Sequence, residues 1–223
     1  MKDIRASRGK YYLHKLIAEG ENEHQDFKFQ ISDARKIARS ISAFANNSGG
    51  RLLIGVKDNG SIAGVRNEED IYVVEQAAQL YCKPAQSPKF SAYKAEEGAM
   101  VIIAEVDASA RRPVSVSEAD GSLKAFYRVA DENILAHPLM VKAWKHKLKS
   151  QPNIISLSEA EQSLLTMLNS SGFIDPDKVP ALCKVSNNVA EQLILRLYAL
   201  SVIDFRFINR RFHLVPSDPS LHS

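Results

Sequence analysis

Apolar residues recur along this chain with two periods, and the switches between them mark its elements. In residues 11–19, Leu13, Leu16 and Ile17 share one face of a helix that Gly20 stops. Residues 25–30 alternate, Phe27 and Phe29 against Asp26 and Lys28, which predicts a half-buried strand. Helical spacing returns in 33–47 with Ile37, Ile41, Phe44 and Ala45, and the other face carries Arg35, Arg39, Ser42 and Asn46. Gly49 and Gly50 end that helix, glycine supplying the positive φ of the exit turn. Residues 51–57 form a β-branched, apolar strand, and Asp58-Asn59-Gly60 turns it into 61–65 as a hairpin.

Asn67 is placed to cap a helix that opens on Glu68, Glu69 and Asp70 and buries Ile71, Val74, Ala78 and Tyr81. Further strands are expected over 89–94, 100–107, 114–117 and 124–129. A last helix starts at Pro138, carries Trp144, and lines up Lys142, Lys145 and Lys149. Two strands per helix argue for an α+β domain with a mixed or antiparallel sheet and flanking helices, spanning 1–149. A short polar linker, 150–157, follows. Ser158 then opens a helix with Glu161 in a capping box, Asp175-Pro176 opens a second, and Ser186 caps a third with Ala190, Leu193, Ile194 and Leu197 inward. Segments 202–207 and 211–215 flank a turn. Three helices and a terminal hairpin over 158–215 read as a small C-terminal winged helix-turn-helix, with 216–223 as a tail.

Composition narrows the classes without choosing among them. Hydrophobic residues make up 45% of the 223 positions and charged residues 25%, as in a soluble globular protein. Cys82 and Cys183 lie far apart with no partner at metal spacing, which favours a reducing compartment over a disulfide framework. No apolar run is long enough to span a bilayer and the first ten residues are polar, so a cytoplasmic protein with no membrane partner is expected. The net charge is +3; residues 1–149 carry 23 Lys/Arg against 19 Asp/Glu, and 150–223 carry 6 against 7. That balance permits a polyanionic partner and does not demand one.

Three acids are candidates for chemistry. Glu21 stands before the first strand, Asp26 lies within it, and Asp58 ends the second. A spacing of five puts Glu21 and Asp26 on opposite faces of a regular strand, so they converge only if the chain bends near Asn22-Glu23. Three carboxylates meeting at one point would call for a hard cation such as Mg²⁺ or Mn²⁺, which can activate water against a phosphodiester. The competing reading is three solvated acids near turns.

The string 20–28, Gly-Glu-Asn-Glu-His-Gln-Asp-Phe-Lys, resembles a family pattern Gly-Glu-Ser-x-x-x-Glu-Phe-Lys. Residues 43–60 resemble its second motif, Ala-Phe-Ala-Asn-x-x-Gly-Gly-x-Leu-x-Ile-Gly-Val-Asp-Asp-x-Gly, and Phe126-Tyr127-Arg128-Val129 is similar to its closing strand. Together these resemble the Schlafen-type AlbA domain family, once described as divergent AAA domains. The resemblance implies a nucleic-acid-binding α+β fold and, in the Schlafen branch, a metal-dependent RNase site at Glu21, Asp26 and Asp58. Two departures stand out. Asp26 replaces a Glu, drawing the carboxylate back by roughly 1.5 Å, and Lys57 puts a cation where the family has an acid.

The glycines at 49–50 argue against ATP, because they follow a helix C-terminus, where the dipole repels phosphate, and no Walker pattern follows. Lys28, Arg35, Arg39, Lys142 and Lys145 form candidate phosphate contacts. In the winged helix, Asn187, Asn188, Gln192 and Arg196 are candidates for base edges and Arg210 and Arg211 for backbone phosphate. The leading reading is a DNA- or RNA-binding transcriptional regulator, expected as a homodimer because Schlafens use two such lobes and this chain has one. A metal-dependent endoribonuclease and a protein-interaction or dimerisation module are the alternatives.

Overall fold

The computed structural model describes residues 7–65, 69–95, 98–149 and 156–218. The expected cap at Asn67-Glu68, most of the linker and the end of the tail lie outside these, as does the Lys149 side chain. Two compact units emerge, Met1–Ala136 and His137–Ser223.

The first unit contains β1 (Ser7–Arg8), α1 (Lys10–Ala18), β2 (Gln25–Lys28), α2 (Ala34–Asn46) and β3 (Gly50–Ile54). After these come α3 (Glu69–Gln76), which runs on as a π-helical turn over Ala77–Tyr81, β4 (Cys82–Lys83), β5 (Lys89–Lys94) and β6 (Met100–Val106). The unit closes with β7 (Ser115–Ser117), β8 (Leu123–Val129) and β9 (Glu132–Leu135). One sheet runs β1-β5-β6-β3-β2 and is mixed, with β2 and β3 parallel and β3 and β6 antiparallel; the other, β4-β7-β8-β9, is antiparallel. The α+β expectation with mixed and antiparallel sheets therefore holds.

The first sheet is covered on both faces, and its side-chain period of two explains how. Leu52 and Ile54 of β3 sit opposite Ala104 and Ile102 of β6, and with Ile37, Ile41 and Phe44 of α2 they form one core. Leu53 and its partner Ile103 point the other way and meet Leu13 and Leu16 of α1 together with Phe27. The predicted alternation of β2 is corrected in one respect. Asp26 is 4% exposed, as buried as Phe27, whereas Phe29 lies past the strand end and is 37% exposed. The predicted 61–65 strand reduces to a single bridge between Val56 and Ile62.

Helix α2 lies between the two sheets, so its polar face is not solvated. The Asn46 amide donates to the carbonyls of Val114 (2.8 Å) and Phe126 (2.9 Å), and its oxygen accepts the Val114 N–H at 2.7 Å. Ser42 donates to the Val114 carbonyl and accepts the Phe126 N–H. These side chains supply the hydrogen bonds that the backbone flanking and within the second sheet requires. The exit from α2 depends on both glycines: Gly49 has φ +83° and a Cβ there would meet the Val106 carbonyl oxygen at 2.9 Å, while one on Gly50 would lie 2.3 Å from the Phe44 ring.

The second unit contains α4 (Pro138–Lys149), α5 (Glu159–Ser171), a 3₁₀ turn (Pro176–Lys178), α6 (Val179–Leu182), α7 (Asn187–Ala199), and the antiparallel pair β10 (Ile203–Ile208) and β11 (Arg211–Pro216). Ile174 adds a bridge to Leu214 of β11. The capping box of Ser158 and Glu161, the Asp175 cap followed by Pro176, and the Ser186 cap all form as the sequence predicts. Helix α4 belongs to this unit and not to the first, where the sequence reading had placed it. Its buried stripe of Met140, Ala143 and Trp144 fits an amphipathic helix, and α7 supplies the surface it packs along. Amphipathicity reports that a helix has a partner without saying which one. No helix among the described residues is long and apolar enough to cross a membrane.

Candidate nucleic-acid interface

The acidic residues come first because the sequence made them conditional on a bend. The bend exists: Asn22 and Gln25 exchange backbone hydrogen bonds around Glu23-His24, and the Asn22 side chain accepts the His24 N–H at 2.8 Å. Glu21 is thereby folded back on β2, where its carboxyl accepts the Phe27 N–H at 2.8 Å and shares a hydrogen bond with Asp26. Burial and that shared bond raise the Glu21 pKa. Burial alone would raise Asp26 as well. The Lys28 ammonium, the hydrogen bond from Glu21 and the Arg128 guanidinium outweigh it and hold Asp26 below the usual carboxylate value. Of the two carboxyls, Glu21 is therefore the one that takes up a proton first as pH falls.

This arrangement does not suit Mg²⁺ or Mn²⁺. Lys28 Nζ lies 2.8 Å from one Asp26 oxygen, and Arg128 Nη2 lies 3.4 Å from the other. Ser40 donates to Asp26 as well. Asp58 sits exposed in the turn after β3, and among the described residues no three His, Cys, Asp or Glu side chains group as metal ligands. The trio expected from the sequence is thus a pair plus a separate surface acid. A carboxylate already neutralised by two cations has little left to offer a third.

Arg128 is the residue that sequence reasoning missed. It is 1% exposed and donates to the carbonyls of Asn22 (3.2 Å) and Gln25 (3.2 Å) and to Asn133 Oδ1 (3.0 Å). Its plane lies over the Phe44 ring at 5.3 Å. One arginine on β8 therefore fastens the bend, strand β2 and β9 together. The available signals were an arginine flanked by apolar residues within a predicted strand and its place in the segment Phe126-Tyr127-Arg128-Val129, similar to the family's closing strand.

The cations expected to grip phosphate from α2 are engaged within the fold. Arg39 makes a bidentate pair with Glu118 (2.9 and 2.7 Å), although its side chain remains 41% exposed. Arg35 stacks on the Tyr81 ring at 4.8 Å. Lys28 is held by Asp26 and by the Phe27 carbonyl. Helix α2 is thus an internal strut whose arginines close onto neighbouring elements.

In the second unit the picture divides. Lys142 pairs with Glu191 at 2.6 Å, and Arg196 pairs with the buried Glu161 at 3.0 Å while also donating to the Ser156 carbonyl. Asn187, Asn188 and Gln192 are exposed along the N-terminal part of α7, and Lys145 is exposed on α4. The β10–β11 turn puts Asn209 and Arg210 at φ 50° and 65°, the left-handed pair of a tight hairpin turn. Arg210 and Arg211 are exposed at that tip, and neither has an ion pair among the described residues. With α4 included, this unit carries 10 Lys/Arg against 7 Asp/Glu, and the first unit carries 19 against 19.

No curated protein matches the chain. Among solved structures it is similar to the DIP2311 protein from Corynebacterium diphtheriae, at 18% identity and a TM-score of 0.45, over 88% of this chain and 43% of that one. It is also similar to the N-terminal domain of a protein described as RecG-related from Nitrosomonas europaea, at 19% identity and a TM-score of 0.39, over 55% of this chain and 88% of that domain. The chain therefore spans less than half of the DIP2311 protein. The profile described as Schlafen, AlbA_2 matches residues 21–137, just over half of the chain, and ends where the first compact unit ends. The chain belongs to the Schlafen AlbA_2 family.

Proposed function

We propose that this protein is a nucleic-acid-binding regulator whose second unit is a winged helix that meets the phosphodiester chain. One observation carries the reading: the whole net charge of +3 lies in His137–Ser223, where Arg210 and Arg211 stand exposed at the hairpin tip with no ion pair among the described residues. Membership of the Schlafen AlbA_2 family supports the class of partner. The order of helices, hairpin and Ile174–Leu214 bridge supports the winged-helix assignment.

The chemistry follows from what is left free. Arg210 and Arg211 neutralise backbone phosphates and release counterions, giving affinity that falls with salt. Asn187, Asn188 and Gln192 offer amide groups able to bond an adenine edge in a major groove. Arg196 is reserved for Glu161 and serves the fold. Lys145 adds a backbone contact from α4.

A labelled duplex and its single strand, titrated across a salt series, test the proposal. Arg210→Ala/Arg211→Ala is expected to weaken binding and to reduce the slope of log affinity against log salt by about two. Unchanged affinity and slope in that variant would remove the reading.

A further inference from the structure

Beyond the C-terminal ends of β2 and β3 lies a cleft of about 400 Å³, formed entirely within the first unit. The two strands are parallel, so the segments leaving them open on the same side, as ligand-binding crevices of α/β units commonly do. Phe29, Gln30, Ile31 and Ser32 leave β2 along one wall, and Lys57, Ala63 and Gly64 line another. Asp70, at the start of α3, completes it.

The walls are fixed by backbone. Ala63 and Gly64 both donate to the Gly55 carbonyl at 2.9 Å, and a Cβ on Gly55 would meet the Gly64 carbonyl carbon at 2.8 Å. The Asp70 carboxylate accepts the Ile31 N–H, and burial raises its pKa. Within this frame Phe29 breaks the pattern of its strand. Phe27 is 2% exposed and packed in the core, while the Phe29 ring stands at the cleft with the Lys57 ammonium 5.2 Å from its centroid. An aromatic face, a cation beside it, and an acid, an amide and a hydroxyl around them make a combination with one common occupant. The ring offers stacking area, the ammonium a phosphate contact, and Asp70, Gln30 and Ser32 partners for a base edge. The contact of Lys57 with the ring is weak at such exposure, so the ammonium is readily drawn away by a phosphate.

We infer that this cleft takes one unpaired nucleobase with its 5′-phosphate, the base stacking on Phe29 and the phosphate meeting Lys57. A paired base cannot enter it, so the source is a single strand or a free nucleotide. The inference is independent of the hairpin tip, which belongs to the other unit.

The full chain is titrated with a short fluorescent single strand and with an abasic strand of equal length, and mononucleotides serve as competitors. The base-bearing strand is expected to bind about tenfold more tightly than the abasic one. Phe29→Ala removes that difference, Phe29→Tyr retains it, and Arg210→Ala/Arg211→Ala leaves it intact. Displacement by mononucleotides assigns the base to a free nucleotide, and failure to displace assigns it to a strand; either result supports the cleft when it depends on Phe29. Equal affinity for the two strands, no binding of either, or a difference that survives Phe29→Ala overturns it.

Discussion

In Met1–Ala136 the arginines of α2 and β8 point at carboxylates, rings and carbonyls of their own fold, whereas in His137–Ser223 the arginines at the hairpin tip have no ion pair among the described residues. The first unit is charge-neutral by count and the second is basic. A cation that closes two elements onto each other contributes stability and is spent. A cation left in solvent contributes little to stability and remains available to a polyanion. Positive residues in a sequence therefore say little about partners until it is known which of them the fold has used.

The comparison can be broken most directly at Arg128. Arg128→Met leaves Asp26 buried without its guanidinium and takes one of the donors from each of the Asn22 and Gln25 carbonyls, and is expected to cost about 3–5 kcal/mol in urea unfolding of the first unit. A loss within the ordinary surface range would mean that the arginine is not the fastening it looks to be. Asn46→Ala comes next. It orphans buried backbone groups of Val114 and Phe126, for an expected loss of about 2–3 kcal/mol by the same measurement.

A crossed pair of variants sharpens the contrast. Arg39→Ala is expected to lower stability by about 1–2 kcal/mol, because Glu118 is left partly buried and alone, and to leave the salt dependence of nucleic-acid binding unchanged. Arg210→Ala/Arg211→Ala is expected to do the reverse, leaving the unfolding midpoint in place while flattening the salt response. If Arg39→Ala flattens the salt response instead, α2 is an interface and the division between the units fails.

The smallest effect lies at the start of α4. His137 Nδ1 accepts the Leu139 N–H at 3.2 Å, and burial lowers the His137 pKa although Asp177 and Asp175 oppose it. The unfolded chain therefore takes up this proton first as pH falls. Stability is complete above the ordinary histidine pKa near 6.5 and declines as pH drops through it toward the lower folded value. A shallow acid-side slope in thermal melts that vanishes in His137→Asn, whose amide oxygen keeps an acceptor, is the expected result.

Much of this architecture was legible in residue order. The capping box at Ser158, the start of α2 near residue 33, the glycine exit at 49–50 and strand β5 all fall where local chemistry puts them, because each depends on neighbours a few positions away. The candidate site was legible in part. Residue spacing showed that Glu21 and Asp26 would need a bend in order to meet, and the bend is present. It could not show that Asp58 stays apart, or that Lys28 and Arg128 occupy the carboxylate a metal would use, since Arg128 lies 102 positions from Asp26 in the chain. Phe29 gave a misleading signal, because its alternation with Phe27 continues one step past the point where the strand ends.

By itself the sequence determined most of the elements, the α+β class and the family motifs, all of which are written in short-range periodicity and turn chemistry. Tertiary structure alone decided which face of α2 is solvated, which unit owns α4, and which cations remain free. Those outcomes depend on what lies across from a side chain, and a residue's opposite number is set by the packing of sheets and helices far apart in the chain.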